Sequence, residues 1–206
     1  MEIEFKLSCT PAAAARLSRQ LGQLTGRKPQ RLQLQNAYYD TPQQALRAHG
    51  IALRIRRQGK RLLQTVKCAG EVSGGLSRRP EWESAYRGAF DFSGIDNATV
   101  RERLETLAHQ PGYRPILDTD FERCIWHWRP ASDTCVEIAL DRGTIRAGGK
   151  EEAICELELE LVEGAPERLF DLVAQLGKLV PLFPAPLSKA TRGSLLLAGA
   201  QADSAL

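Results

Sequence analysis

Short stretches of this sequence concentrate charged residues at a spacing of two. They are Glu2-x-Glu4-x-Lys6, Arg54-x-Arg56, Thr65-x-Lys67, Arg79-x-Glu81-x-Glu83, Glu137 with Asp141, and Glu156-x-Glu158-x-Glu160. On a β-strand, residues two apart share one face. Like charges on one strand face repel unless something neutralises them. Carboxylates clustered without His or Cys select hard cations such as Mg²⁺ and Mn²⁺. Clustered Arg and Lys select phosphate, and Arg grips it bidentately. A site holding both sets suits a metal-chelated polyphosphate, whose oxygen charge is shared between metal and side-chain cations.

The elements that carry these stretches are legible from periodicity. Residues 2–9 alternate, with Ile3, Phe5 and Leu7 opposite Glu2, Glu4 and Lys6. Thr10-Pro11 is an N-cap followed by proline, opening a helix from about Pro11 to Leu24. A second strand covers residues 31–39. Thr41-Pro42 repeats the cap and predicts a short helix to about His49. Residues 51–57 and 61–68 form a hairpin around Gly59-Lys60. Gly70 to Gly75 is expected to be a loop. Strands are predicted over 77–87, over 114–129 as one bent strand or two, over 134–141, and over 153–162. Helices are predicted over 98–109 and 166–176, with a last helical stretch carrying Ser188, Lys189 and Arg192. The count is about eight strands, mostly joined by hairpins, which is an α+β pattern with a large antiparallel sheet. Residues 1–198 are expected to form a single domain and 199–206 a flexible tail.

The strands present an apolar and a charged face, and the usual arrangement turns the charged face to water. Two features argue for the reverse. Single strands concentrate one sign of charge, and the apolar helices need an apolar sheet surface to cover. If they cover the outside of a curled sheet, the charges line its interior, where unpaired charge is costly without a ligand.

Composition agrees with a globular chain of 206 residues, 43% hydrophobic and 26% charged. The net charge of +3 is far from the basic excess typical of duplex binders. The chain holds 21 Arg to 7 Lys and 16 Glu to 9 Asp. Arg is the residue of planar phosphate or carboxylate recognition. Five cysteines at wide spacing, without a CxxC pair, suggest reduced thiols. No apolar run approaches the ~18 residues of a membrane span. No nucleic-acid or membrane partner and a cytoplasmic location are expected. Gly143 to Glu151 superficially resembles a phosphate-binding loop, but its Gly-Gly-Lys-Glu end breaks that pattern and a hairpin loop is expected. Trp126 and Trp128 share a face suited to packing under a helix, and Tyr38-Tyr39 suit packing near a tunnel mouth.

The ordered set of motifs resembles the CYTH family, the triphosphate tunnel metalloenzymes. It comprises Glu2-x-Glu4-x-Lys6, Tyr38-Tyr39-Asp40-Thr41, Leu53-Arg54-Ile55-Arg56, Thr65-Val66-Lys67, Arg79-Pro80-Glu81, Glu137 to Asp141, Ile154 to Glu160, and Ser188-Lys189 with Arg192. The Gly74-Gly75-Leu76 loop and the triple-Glu strand point to the bacterial inorganic triphosphatase branch. The resemblance implies an antiparallel eight-stranded β-barrel, or tunnel, with a charged lumen and helices packed outside.

It also implies roles. Glu2, Glu4, Glu158 and Glu160 match metal-binding carboxylates, and Glu156, Glu137, Asp141, Glu81 and Glu83 are further lumen carboxylates. Lys6, Arg54, Arg56, Lys67, Arg79, Arg123, Lys189 and Arg192 match the cations that hold phosphates. Glu4, Glu160, Lys67 and Arg56 are the candidate catalytic groups. The implied reaction is Mg²⁺- or Mn²⁺-dependent hydrolysis of inorganic triphosphate to pyrophosphate and phosphate. Alternatives on the same scaffold are a class IV-like adenylate cyclase and a thiamine triphosphatase; the non-enzymatic alternative is a polyphosphate-binding module. In that branch a helical CHAD domain often follows; the expectations for this chain are a stand-alone protein, a homodimer, or an N-terminal part separated from a CHAD domain.

Overall fold

A computed structural model describes residues 2–199. The tail assigned to 199–206 lies, beyond Gly199, outside the described residues. The element order is β1(Glu2–Ser8), α1(Pro11–Thr25), β2(Gln30–Asp40), α2(Ala45–Ala48), β3(Ile51–Gln58), β4(Arg61–Cys68), β5(Glu71–Ser73), β6(Leu76–Arg79), β7(Glu81–Ala85), α3(Ala98–Ala108), β8(Arg114–Trp128), β9(Cys135–Ala147), β10(Lys150–Glu163), α4(Glu167–Gly177), β11(Phe183–Pro184) and α5(Lys189–Leu197).

All strands join one antiparallel sheet in the order β5-β6-β1-β10-β9-β8-β2-β3-β4-β7, with β11 on β1. Eleven segments thus stand where eight strands are expected, and the difference has a simple cause. β6 and β7 are one stave interrupted at Pro80. Its first half pairs with β1 (Glu2 opposite Arg79) and its second with β4 (Lys67 opposite Glu81). Pro80 has no N–H to give a ladder, but its carbonyl accepts from the Cys68 N–H at 3.1 Å. The two ends of the sheet meet in this stave, leaving eight principal staves around a tunnel. β5 and β11 are short additions at its rim.

Other expectations shift locally. The stretch from Gly70 to Gly75 contains β5, paired with β6. The helix after Thr41-Pro42 starts only at Ala45, because Gln44 takes a left-handed φ of 56°. Asp40 holds that turn by accepting the Thr41, Leu46 and Arg47 N–H groups. The long strand β8 is continuous. β9 runs through Gly143 to Ala147, so the turn is confined to Gly148-Gly149. Gly143 has a steric reason: a Cβ there would lie 2.1 Å from the Asp120 carbonyl oxygen on β8.

Apolar helices cover the sheet as the alternation predicts. Leu17 and Leu21 of α1 and Leu169, Leu172 and Leu176 of α4 are fully buried against Leu7, Trp126, Ile138, Leu140, Leu157 and Leu159. These strand residues have the opposite parity to the charged ones. Leu46 and Leu104, from α2 and α3, pack on Leu53 and Val66 of β3 and β4. Burying one such leucine contributes about 2 kcal/mol. α5 seats Leu196 beside Leu34, Phe121 and Ile145. Those three share the parity of the charged residues, so α5 lies against the inward face and carries Lys189 to the lumen.

Candidate functional site

Outward apolar faces leave inward charges. A cavity of about 360 Å³ is lined by Glu2, Lys6, Arg54, Arg56, Lys67, Arg79, Glu81, Glu83, Arg123, Glu137, Glu158, Glu160 and Lys189, together with Tyr38, Thr65 and Ser188. The structure brings these sequence-predicted residues together. Glu4, Asp141 and Glu156 are buried in the wall instead, 3%, 0% and 1% exposed. Arg192 is held at the edge, donating to Glu152 at 2.5 Å and Glu156 at 2.8 Å.

Most lumen charges are paired. Lys67 reaches Glu2 and Glu81, each at 2.7 Å. Arg79 donates to Glu2 at 2.9 Å and also to Glu4. Lys6 lies 3.5 Å from Glu4 and 3.4 Å from Glu158. Arg123 grips Asp141 with two bonds of 2.7 Å and also reaches Glu158.

Lys189 sits at the first position of α5, where the helix dipole disfavours a cation. Three carboxylates offset that cost: Asp141 at 2.7 Å, Glu158 at 3.0 Å, and Glu156. Burial would lower the ammonium pKa, but these carboxylates raise it above the usual range. For Glu158, burial pushes upward and the cations Lys189, Arg123 and Lys6 win, holding it well below the usual carboxylate range.

Charges on two opposite staves stand outside ion pairs. In ring order, β10 and β3 are four staves apart. Glu160 on β10 has no cation within ion-pair distance among the described residues. Burial, then the charges of Glu2 and Glu137, push it up to about 7. Facing it, Arg54 and Arg56 on β3 have no carboxylate within ion-pair distance among the described residues. The Arg54 Nε is buried without a hydrogen-bond partner among the described residues; burial would lower its pKa, but Tyr38, Glu81 and Glu83 nearby outweigh that and hold it above the usual value. Arg56 is pushed down to about 10 by burial and by Arg54 and Arg123. Its Nε finds only the Asn36 Oδ1, at 2.9 Å.

Asp141, Glu156 and Glu158 offer carboxylate oxygens within 4.8 Å of one another, the acidic cluster that spacing picks out among the described residues. The Lys189 ammonium already fills its centre, so this cluster does not fit a metal. Glu160 meets no cation within ion-pair distance among the described residues, and its oxygen donors suit a hard cation.

Sequence reasoning missed Asn36 and placed Thr65 in a motif without giving it a role; both hydrogen-bond charged groups of the lumen. Asn36 accepts from Arg56 and donates to Thr119 at 2.9 Å. Thr65 donates to Glu83 at 2.9 Å. A signal existed, because Leu34, Asn36, Tyr38 and Asp40 share one face of β2 and an amide in that series is out of place on a plain core face. Of the two tyrosines, Tyr39 packs on Phe90 and Tyr113, whereas Tyr38 lines the lumen. Trp126 is buried beneath α1 and α4.

Comparison with known proteins agrees with this geometry. The chain is 34% identical over 206 residues to an inorganic triphosphatase of Haemophilus influenzae, covering 95% of this chain and 54% of that protein. The chain thus spans about half the length of the curated relative it matches. Among solved structures it resembles HpAC1 from Hippeastrum, described as having a dominant triphosphatase activity, with TM-score 0.68 and 21% identity over 98% of each chain. It also resembles the PH1819 protein of Pyrococcus horikoshii OT3, with TM-score 0.59 and 21% identity over 97% of this chain and 99% of that one. The CYTH domain model matches residues 1–194. The chain belongs to the CYTH domain family.

Proposed function

We propose that this chain hydrolyses inorganic triphosphate to pyrophosphate and phosphate with Mg²⁺ or Mn²⁺. One observation carries the reading: a single cavity sets Glu160 on β10 against the Arg54 and Arg56 guanidinium groups on β3, none of them in an ion pair among the described residues. A metal-chelated polyphosphate has the complementary charge at both walls. Glu2 and Glu160, with Glu137 beside them, would hold the cation, and Glu4 and Glu158 stand one ion pair away. A divalent cation there would neutralise phosphoryl oxygens and acidify water. The attacking water would be deprotonated at this Glu160 end of the cavity. Arg54, Arg56 and Lys67 meet the charge on the transferred and leaving oxygens. Lys6, Arg79, Arg123 and Lys189 bind the rest of the phosphate chain, held in position by Glu4, Asp141 and Glu156. Arg192 braces α5 through Glu156.

The H. influenzae relative supports this substrate over a nucleotide or thiamine triphosphate. No described helix is long and apolar enough to cross a membrane, and a reducing cytoplasm suits the free thiols.

Arg56→Ala tests the arrangement. Losing one charge-assisted phosphate contact should weaken tripolyphosphate binding by about 10- to 100-fold. The melting temperature should hold or rise, since that guanidinium faces two others. Calorimetric titration alongside a thermal melt reads both. Unchanged affinity would remove Arg56 from the site.

A further inference from the structure

Wide spacing in sequence argues against cross-linked cysteines, yet folding brings one pair together. Cys9 follows β1 and Cys155 lies on β10. Their Sγ atoms are 3.8 Å apart, across 146 residues of chain. The Cys9 N–H donates to the Cys155 carbonyl at 3.2 Å, continuing the β1–β10 ladder beyond Ser8 and Glu156. The two residues are therefore neighbours on adjacent antiparallel strands, a placement compatible with the Cα separation a disulfide needs. Both side chains turn to the outer, apolar side of the barrel, at the edge of the cluster beneath α1. They differ in access: Cys9 is 3% exposed, and Cys155 is half-buried.

We propose that Cys9 and Cys155 form a peroxide-reactive thiol pair that closes to a disulfide and staples β1 to β10. The Cys155 thiolate, the more accessible of the two, attacks hydrogen peroxide. The O–O bond breaks, Cys155 becomes a sulfenic acid, and hydroxide leaves. The Cys9 sulfur then attacks the Cys155 sulfur, forming the S–S bond. The Cys155 hydroxyl leaves as water, with the Cys9 thiol proton released to solvent. In sum two thiols and one peroxide give one disulfide and two waters. Closing the bond requires less than 2 Å of approach from the observed separation. No other cysteine pair is in contact among the described residues, so Cys68, Cys124 and Cys135 serve as internal controls. The proposal does not depend on the activity of the lumen.

The full chain is treated with hydrogen peroxide, blocked with an alkylating agent, and mapped by mass spectrometry without reduction. The expected product is a single linked peptide joining Cys9 to Cys155, having lost two hydrogens. The cross-link closes a long loop, so the melting temperature should rise by about 5–15 °C and return on reduction. In Cys9→Ser, peroxide should stop at a sulfenic acid on Cys155, trapped by a 1,3-diketone probe. Absence of the Cys9–Cys155 peptide in the wild-type chain, links among the other cysteines instead, or a melting shift that persists in Cys9→Ser would overturn the proposal.

Discussion

Glu160→Gln should slow metal-dependent tripolyphosphate hydrolysis by about 100-fold or more while making the protein more stable. The two effects share one cause. Glu160 is pushed up to about 7 from an ordinary 4.5, so the folded state binds its proton more tightly than the unfolded chain does. A raised carboxyl costs stability once it must ionise. The cost is absent below the ordinary value, grows between the two, and is complete above about 7. Allowing for solvent screening at a partly open site, it is about 1–3 kcal/mol. Glutamine keeps the shape and removes the charge. In metal-free buffer near about pH 8 the variant should melt about 2–8 °C higher than wild type, and near about pH 4 the gain should vanish. Thermal melts at the two pH values, with initial rates of phosphate release, check both halves. A variant that hydrolyses at the wild-type rate, or that melts lower near pH 8, contradicts this role for Glu160.

Lys189→Met should have the opposite balance. Its ammonium is 6% exposed and joins three carboxylates, of which Asp141 is 0% and Glu156 is 2% exposed. Removing it leaves Arg123, Lys6 and Arg192 to neutralise all three. Breaking a buried pair from one side costs about 3–5 kcal/mol, equivalent to a fall in melting temperature of about 6–15 °C for a chain of this size. Methionine retains most of the volume, so the loss reads charge rather than packing. The pH dependence supplies a second check. Glu158 is held well below the carboxylate range because Lys189, Arg123 and Lys6 outweigh its burial. A depressed carboxyl contributes stability above its ordinary value and loses it as pH falls through the folded value. The variant has less of this contribution to lose. The two melting curves should therefore converge on acidification and differ fully at neutral pH. A fall of less than about 2 °C at neutral pH would mean that the cluster is satisfied without Lys189.

Period-two alternation in β1, β3, β9 and β10 separates lumen from core in the sequence itself, because strand parity is a purely local property. Concentrated like charge then marked the polar face as the inner one. What alternation could not show was pairing across the barrel. Glu158 and Glu160 look equivalent in Glu-x-Glu-x-Glu, yet among the described residues one pairs with three cations and the other with none. That difference depends on register with β1, β9 and α5, which join residues far apart in sequence. Asp141 likewise reads as another lumen carboxylate but is wholly engaged by Arg123 and Lys189. The split stave at Pro80 and the late start of α2 escaped for a related reason. Both turn on where individual backbone N–H groups find partners, which side-chain periodicity does not encode. Cys9 and Cys155 meet through the direct pairing of β1 with β10, whereas Glu2 meets Lys67 because the sheet closes at the Pro80 stave.

Metal-dependent hydrolysis of inorganic triphosphate by this chain alone is the proposed activity. Its most direct test is product analysis after incubation with tripolyphosphate, ATP or thiamine triphosphate, each with and without Mg²⁺ or Mn²⁺. Phosphate release should be fastest from tripolyphosphate, with pyrophosphate as coproduct, and should be lost when the divalent ion is chelated. Tight metal-independent binding without phosphate release, a cyclic nucleotide product, or faster turnover of an organic triphosphate would contradict it.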